Sequence, residues 1–148
     1  MNSIYNTISS SILIAYFVPI FLTIYKSDIA QLKGFVGVFA TTFFVDILKL
    51  HVIGMSNPRP AGARDCNLFN TDGPQSGAPG MPSGHAATAA FFAGYYFQET
   101  NNVYLRILLI AYAILIMYSR YMKHCHTIPQ LLVGSIIGIA GSYIVHRL

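Results

Sequence analysis

The chain has 148 residues, room for one domain, with only 9% of them charged against 54% hydrophobic and 14% aromatic. A soluble domain of this size carries about 25% charged residues, so a water-soluble globule is excluded and the composition is that of an integral membrane protein. The net charge of +4 bears on topology and not on nucleic acid, because the nine Lys and Arg are scattered over loops without a basic stripe or aromatic–basic interleaving.

A hydrocarbon core about 30 Å thick calls for roughly 20 apolar residues per helix, and five stretches approach that length: 8–25, 29–53, 85–98, 103–118 and 127–145. The first follows only uncharged polar residues and lacks the basic segment of a cleavable signal, so it is expected to remain as a span. Pro19 lies inside it and predicts a kink. The second ends in a polar stretch holding Asp46, Lys49 and His51.

Between the second and third stretches lies the one long connection, 54–81. It carries Pro58, Pro60, Pro74, Pro79, several glycines and the Asn-Thr-Asp-Gly of residues 70–73, all turn chemistry. A loop of this length is functional or disordered, and the polar motifs at its two ends favour function. The third stretch is short and rich in Ala and Gly, as expected for a helix buried among others. Together the elements predict an all-α, polytopic bundle of about five transmembrane helices, a single domain over 1–148.

Five spans put the ends of the second and fourth, and the starts of the third and fifth, on one face. Lys26, Lys33, Arg106 and Arg147 collect on the other, which the positive-inside rule makes cytosolic. The motif face is then lumenal or extracytoplasmic, although Arg59, Arg64, Arg120 and Lys123 dilute the rule. Both cysteines, Cys66 and Cys125, fall on that face. Two free thiols are the simpler expectation; a disulfide is available if the face is oxidising. No Cys-x-x-Cys, His-Glu-x-x-His or Asp-rich loop suggests a metal, and no cofactor is expected.

Three segments can carry chemistry. In Pro82-Ser83-Gly84-His85, Ser83 is a plausible helix N-cap, the helix start offers N–H groups to an anion, Gly84 removes a side chain where a ligand approaches, and His85 can exchange a proton near neutral pH. The plainer reading is a capping tetrapeptide with an incidental histidine. In Ser119-Arg120 followed by His126, one reading of the arginine is that it snorkels to the interface. Gln130 stands one helical turn beyond His126, so its amide oxygen can accept from Nδ1–H and leave Nε2 free to attack. Arg59, between Pro58 and Pro60, is a rigidly presented guanidinium suited to phosphate, or an ordinary loop cation. Lys49 pairs with Asp46 or serves a substrate. His51, His124 and His146 receive no chemistry, and Arg64, Asp65 and Asp72 are left as loop-shaping or headgroup-selecting residues.

The order Arg-Pro, Pro-Ser-Gly-His and Ser-Arg-x5-His on one face of a helical bundle resembles the type 2 phosphatidic acid phosphatase (PAP2) family, over about residues 49–138. The resemblance implies a membrane lipid phosphatase working without a metal, with loop 54–84 as its active-site loop. Arg59 and Arg120 would hold the phosphoryl oxygens with N–H groups around Ser83 and Gly84. His126 would be the nucleophile, forming a phosphohistidine, and His85 the acid that protonates the leaving oxygen. The family's lysine position is occupied here by Val52, with Lys49 one turn earlier, and its usual Asp after the nucleophile is Gln130. In Tyr118-Ser119-Arg120, His126-Thr127 and Gln130 the third motif is similar to the dolichyl-diphosphatase branch, where Gln replaces Asp. That favours a polyprenyl diphosphate substrate over phosphatidate. The family commonly has six spans, against five expected here. A haloperoxidase shares the pocket chemistry but does not suit so short and apolar a chain. A catalytically silent bundle that binds anionic lipid heads is the reading from another class.

Overall fold

The computed structural model describes residues 2–148, and among them every regular element is helical. Helix α1 (Asn2–Ser10) runs through a 3-10 turn (Ser11–Leu13) into α2 (Ile14–Lys26); α3 (Ile29–His51), α4 (Gly84–Glu99), α5 (Val103–Met122) and α6 (Ile128–Arg147) follow. Four helices are long and apolar enough to cross a membrane: Ser3–Lys26, Ile29–His51, Val103–Met122 and Ile128–Arg147.

Several boundaries differ from those expected. The first span begins near Ser3 and not at residue 8, because Ser9 and Ser10 are tolerated in a helix whose polar side chains find partners. Its irregular turn lies at Ser11–Leu13, ahead of Pro19. The fourth helix runs on to Met122, so Arg120 lies within the helix, not beyond its end. Helix α4 has 16 residues, about 24 Å at 1.5 Å per residue, which is less than the hydrocarbon thickness.

Helix α4 holds the centre of the bundle. Ser83 caps it, accepting from Ala86 N–H at 3.4 Å, and Ala86, Ala87, Ala89, Ala90 and Ala93 let neighbouring helices close on it. Gly134 and Gly138 of α6 are spaced one turn apart against it. A methyl group at Gly138 would stand 2.2 Å from Ala87 O, and one at Gly134 2.5 Å from Ser83 O, so only glycine permits this approach. The contact fixes the start of α4 beside the start of α6, and with it His85 beside His126.

The connection between α3 and α4 is ordered. It doubles back as an irregular hairpin, with Arg59 N–H donating to Ala78 O (2.8 Å), Gly77 N–H to Arg59 O (3.2 Å), Gln75 N–H to Ala63 O (2.8 Å) and Asp65 N–H to Gly73 O (2.9 Å). Cys66 and Cys125 form a disulfide, which overturns the expectation of two free thiols. The hairpin folds back over the α5–α6 turn and brings the two cysteines into one buried cluster with Ala63. Lys123 donates to Asp65 O at 2.8 Å and to Asn70 Oδ1. Asn70 in turn reaches Ser10 Oγ at 2.6 Å, tying the loop to the first helix.

Candidate active site

The three polar segments meet around one cavity of about 360 Å³, lined by Lys49, Arg59, Gly84, His85, Thr88 and His126 among others. His126 precedes α6 and is 2% exposed. Its Nδ1 lies 3.2 Å from Gln130 Oε1 and its Nε2 3.4 Å from an Arg59 guanidinium nitrogen. The amide orientation of Gln130 is fixed from its other end, where Nε2 donates to Asn57 O (3.0 Å) and Pro58 O (2.9 Å). With an oxygen facing it, Nδ1 carries the proton and Nε2 keeps its lone pair. Burial first, then the charges of Arg59, Arg120 and Lys49, push the His126 imidazole well below its ordinary range, and the Gln130 contact only partly offsets this. Near neutral pH it is an uncharged base with its lone pair toward the cavity side.

Arg120 is fully buried at the last turn of α5. One terminal nitrogen donates to Ser9 Oγ and the other to Cys66 O, both at 2.5 Å. Arg59 donates to Cys125 O at 3.2 Å, so the backbone carbonyls of the two disulfide-bonded cysteines each hold one of the two arginines. Burial lowers the Arg59 pKa, opposed by the charge of Asp72, and the guanidinium remains charged throughout the physiological range. Among the described residues, Arg59 Nε, Arg120 Nε, His85 Nε2 and Asp72 Oδ1 are buried without a hydrogen-bond partner. Buried polar atoms are normally paired, and three of these four are the arginine and histidine nitrogens of the three motifs.

Lys49 reaches the site despite its register. Its Nζ lies 3.1 Å from Asp46 Oδ1 and 3.5 Å from where a Gly84 methyl would stand. Val52, at the family's lysine position, caps the end of α3 and is 62% exposed. The long lysine side chain spans the turn between them. Lys49 Nζ thus lies in ordinary contact range of Gly84, on the same cavity wall.

Ser83 departs from expectation. It is fully buried, and its N–H donates to Gln130 O at 3.1 Å, so it cannot also offer that N–H to an anion. Its place is to join α4 to α6. The N–H groups left by the helix start are those of Gly84 and His85, and both residues line the cavity.

Several participants were not singled out from sequence. Ser9 in the first helix anchors Arg120, and Asn57 and Gly80 shape the Arg59 turn. Tyr16, Thr42 and Thr88 form a hydroxyl cluster on the cavity wall, with Tyr16 Oη 2.9 Å from Thr42 Oγ1 and Thr42 Oγ1 3.0 Å from Thr88 Oγ1. Tyr16 and Thr88 are single hydroxyls within apolar helices, and nothing local in the sequence marks them or the others for the site. A second, apolar cavity of about 540 Å³ between α2 and α3 shares Tyr16, Thr42, Asp46 and Leu68 with the first. Phe17, Ile20, Phe35, Phe39 and Phe43 line it.

A buried, neutral imidazole beside the Arg59 guanidinium, with the charge of Arg120 buried behind it on Ser9 and Cys66, is equipped for nucleophilic attack on a phosphoryl group. Consistent with that chemistry, the sequence profile of the PAP2 superfamily matches residues 30–148. The chain belongs to the PAP2 superfamily, a membership that supports phosphatase activity, and its all-helical fold is the membrane bundle of that class. No curated protein and no solved structure matches the chain.

Proposed function

We propose that the protein removes a terminal phosphate from a lipid phosphate or diphosphate, with a polyprenyl diphosphate as the favoured substrate and phosphatidate as the second. The observation that carries the enzymatic reading is the pairing of His126, held by Gln130 at Nδ1 and turned toward Arg59 at Nε2, with His85 across the same cavity. Nε2 of His126 attacks phosphorus, forming a P–N bond. The bond from phosphorus to the bridging oxygen breaks, and His85, in its imidazolium form beside the substrate's negative charge, gives that oxygen its proton and becomes neutral. Water then attacks the phosphohistidine, His85 takes the water proton, and phosphate leaves with His126 neutral again. Arg59 and the N–H groups of Gly84 and His85 carry the charge on the equatorial oxygens, and Arg120, with only its Nε unpaired, adds its positive charge from behind the site. Lys49, beside Gly84, supplies a third cation on the leaving-group side.

The lipid tail fits the apolar cavity between α2 and α3, which adjoins the polar one. Preference for a diphosphate rests on Gln130 in its His-Thr-x-x-Gln setting, similar to the dolichyl-diphosphatase branch. The Cys66–Cys125 disulfide supports a site on an oxidising face, lumenal or extracytoplasmic, in agreement with the cations of the opposite loops. The protein is thus proposed as a multi-pass enzyme whose partners are the bilayer and its lipid substrate, with no metal required.

A panel of polyprenyl diphosphates, phosphatidate and sphingoid phosphates, assayed in detergent with a chelator present, tests this reading. Release of phosphate from polyprenyl diphosphate fastest of the three is expected. Binding of these lipids without turnover would favour the silent lipid-binding bundle.

A further inference from the structure

Gln130 touches all three motifs, and only one of those contacts concerns the imidazole. Its Oε1 faces His126 Nδ1 at 3.2 Å and also accepts from Thr127 N–H at 3.1 Å. Its Nε2 spends both hydrogens on the carbonyls of Asn57 and Pro58, the two residues before Arg59. Its backbone oxygen accepts from Ser83 N–H. The side chain is 2% exposed, so each contact is made away from water, where an unpaired polar group is costly.

Gly80 is the opening through which this side chain passes. A methyl group there would stand 2.5 Å from Gln130 Nε2, 2.7 Å from Asn57 O and 2.9 Å from Arg59 N. Those are sub-contact distances to the donor, to one of its acceptors and to the backbone of the arginine itself. Gly80 N–H meanwhile donates to Asn57 O at 3.1 Å, holding the same turn from its other side.

We propose that Gln130 is a two-ended strut that sets the distance between the His126 imidazole and the Arg59 guanidinium, and that Gly80 is a positioning residue whose missing side chain the strut requires. This rests on His126 as nucleophile and Arg59 as phosphate ligand. A carboxylate at position 130 could hold the imidazole but could not donate to two carbonyls. The amide is thus a working part of the site and not a weakened acid. Neither Gln130 nor Gly80 touches phosphate; Gln130 acts through His126 and Arg59, and Gly80 through Arg59.

The test compares Gln130→Glu, Gln130→Met and Gly80→Ala with the parent enzyme, reading KM, kcat, the pH profile and inhibition by inorganic vanadate, a phosphate mimic. Vanadate inhibition is a property of the active fraction, so partial misfolding does not imitate the effect. Loss of hydrogen bonds that aim a charged ligand predicts KM and the vanadate inhibition constant rising about tenfold or more in all three. The acid limb of kcat/KM should move in Gln130→Glu, which adds a charge beside His126, and stay in place in Gly80→Ala. A Gln130→Glu enzyme with unchanged KM and vanadate affinity, altered only in kcat or pH profile, would reduce Gln130 to an imidazole holder and overturn the strut. Unchanged vanadate affinity in Gly80→Ala would do the same for the opening. Full turnover by His126→Ala would instead remove the underlying reading, whatever these variants do.

Discussion

Helices α4 and α2 flank the same cavity, yet they are built on opposite plans. Nine of the 16 residues of α4 are buried, most of them alanine, whereas α2 buries only Ala15 and Pro19 among its 13. The aromatic side chains of α2 and α3, Phe17, Phe21, Phe39 and Phe43, face outward or into the apolar cavity. Where α4 meets α6 at Gly134 and Gly138 there is no room for even a methyl group, and this contact positions His85 and His126. The α2–α3 side is loosely filled around the apolar cavity, where the proposed lipid tail would lie. The tight contact thus falls where sub-ångström geometry matters to attack, and the wall of the apolar cavity is left adaptable.

The largest effects are expected on the tightly packed side. His126→Ala should lower turnover by on the order of 10⁴-fold or more, as removal of a nucleophile does, while lipid binding measured by equilibrium partition persists. His85→Asn should cost roughly 10²–10⁴-fold, and less for a substrate whose leaving group needs no proton. A smaller effect follows from the disulfide. Replacing both Cys66 and Cys125 by serine frees the carbonyls that hold Arg120 and Arg59, so KM should rise about tenfold. The closed loop of sequence separation 59 corresponds to about 4 kcal/mol in the chain-entropy account, read as a large fall in melting temperature in detergent.

Packing tests are milder. Gly138→Ala drives a methyl into Ala87 O and should cost about 1–3 kcal/mol with reduced kcat. Phe39→Leu, on the loose side, should leave melting within about 0.5 kcal/mol and alter only the preference among tail lengths. Equal sensitivity at the two positions would erase the distinction between the halves. The smallest effect is in pH. Because His126 is held well below the ordinary imidazole range by burial and nearby cations, it loses its nucleophilic form only in more acid solution. The acid limb of kcat/KM should therefore lie below that of a solvent-exposed histidine. Lys123, lowered to about 8 chiefly by burial and by Arg120, is charged below that pH and neutral above it. Lys123→Arg, which keeps the charge, should then flatten any alkaline loss that arises from loosening of the loop.

Much of this was legible in the chain itself because membrane burial and phosphate chemistry both leave local marks. Apolar runs located the helices to within a few residues, and Pro-Ser-Gly-His announced a helix start with a capping Ser83. The spacing of His126 and Gln130 announced their contact, since four residues is one helical turn. What sequence did not show was everything that depends on long-range closure. Ser9 lies 111 residues from Arg120, and nothing local marks it as an anchor. The Cys66–Cys125 pairing and the Gly80 opening follow from how the hairpin folds back, which no periodicity encodes. A helix start at Ser83 offers an N–H for phosphate by local rules, but packing of α6 against it takes that donor for Gln130 O. Lys49 looked out of register by one turn, and the length of its side chain closes the difference.

The central claim is that His126 becomes covalently phosphorylated. Rapid acid-free quenching of the enzyme with a lipid diphosphate radiolabelled in its terminal phosphate, followed by peptide mapping, tests it most directly. An acid-labile, base-stable label is expected on the peptide containing His126, absent from His126→Ala and still formed by His85→Asn when the leaving group needs no proton. Turnover by the parent enzyme with no label on His126, or with label on another residue, would contradict it.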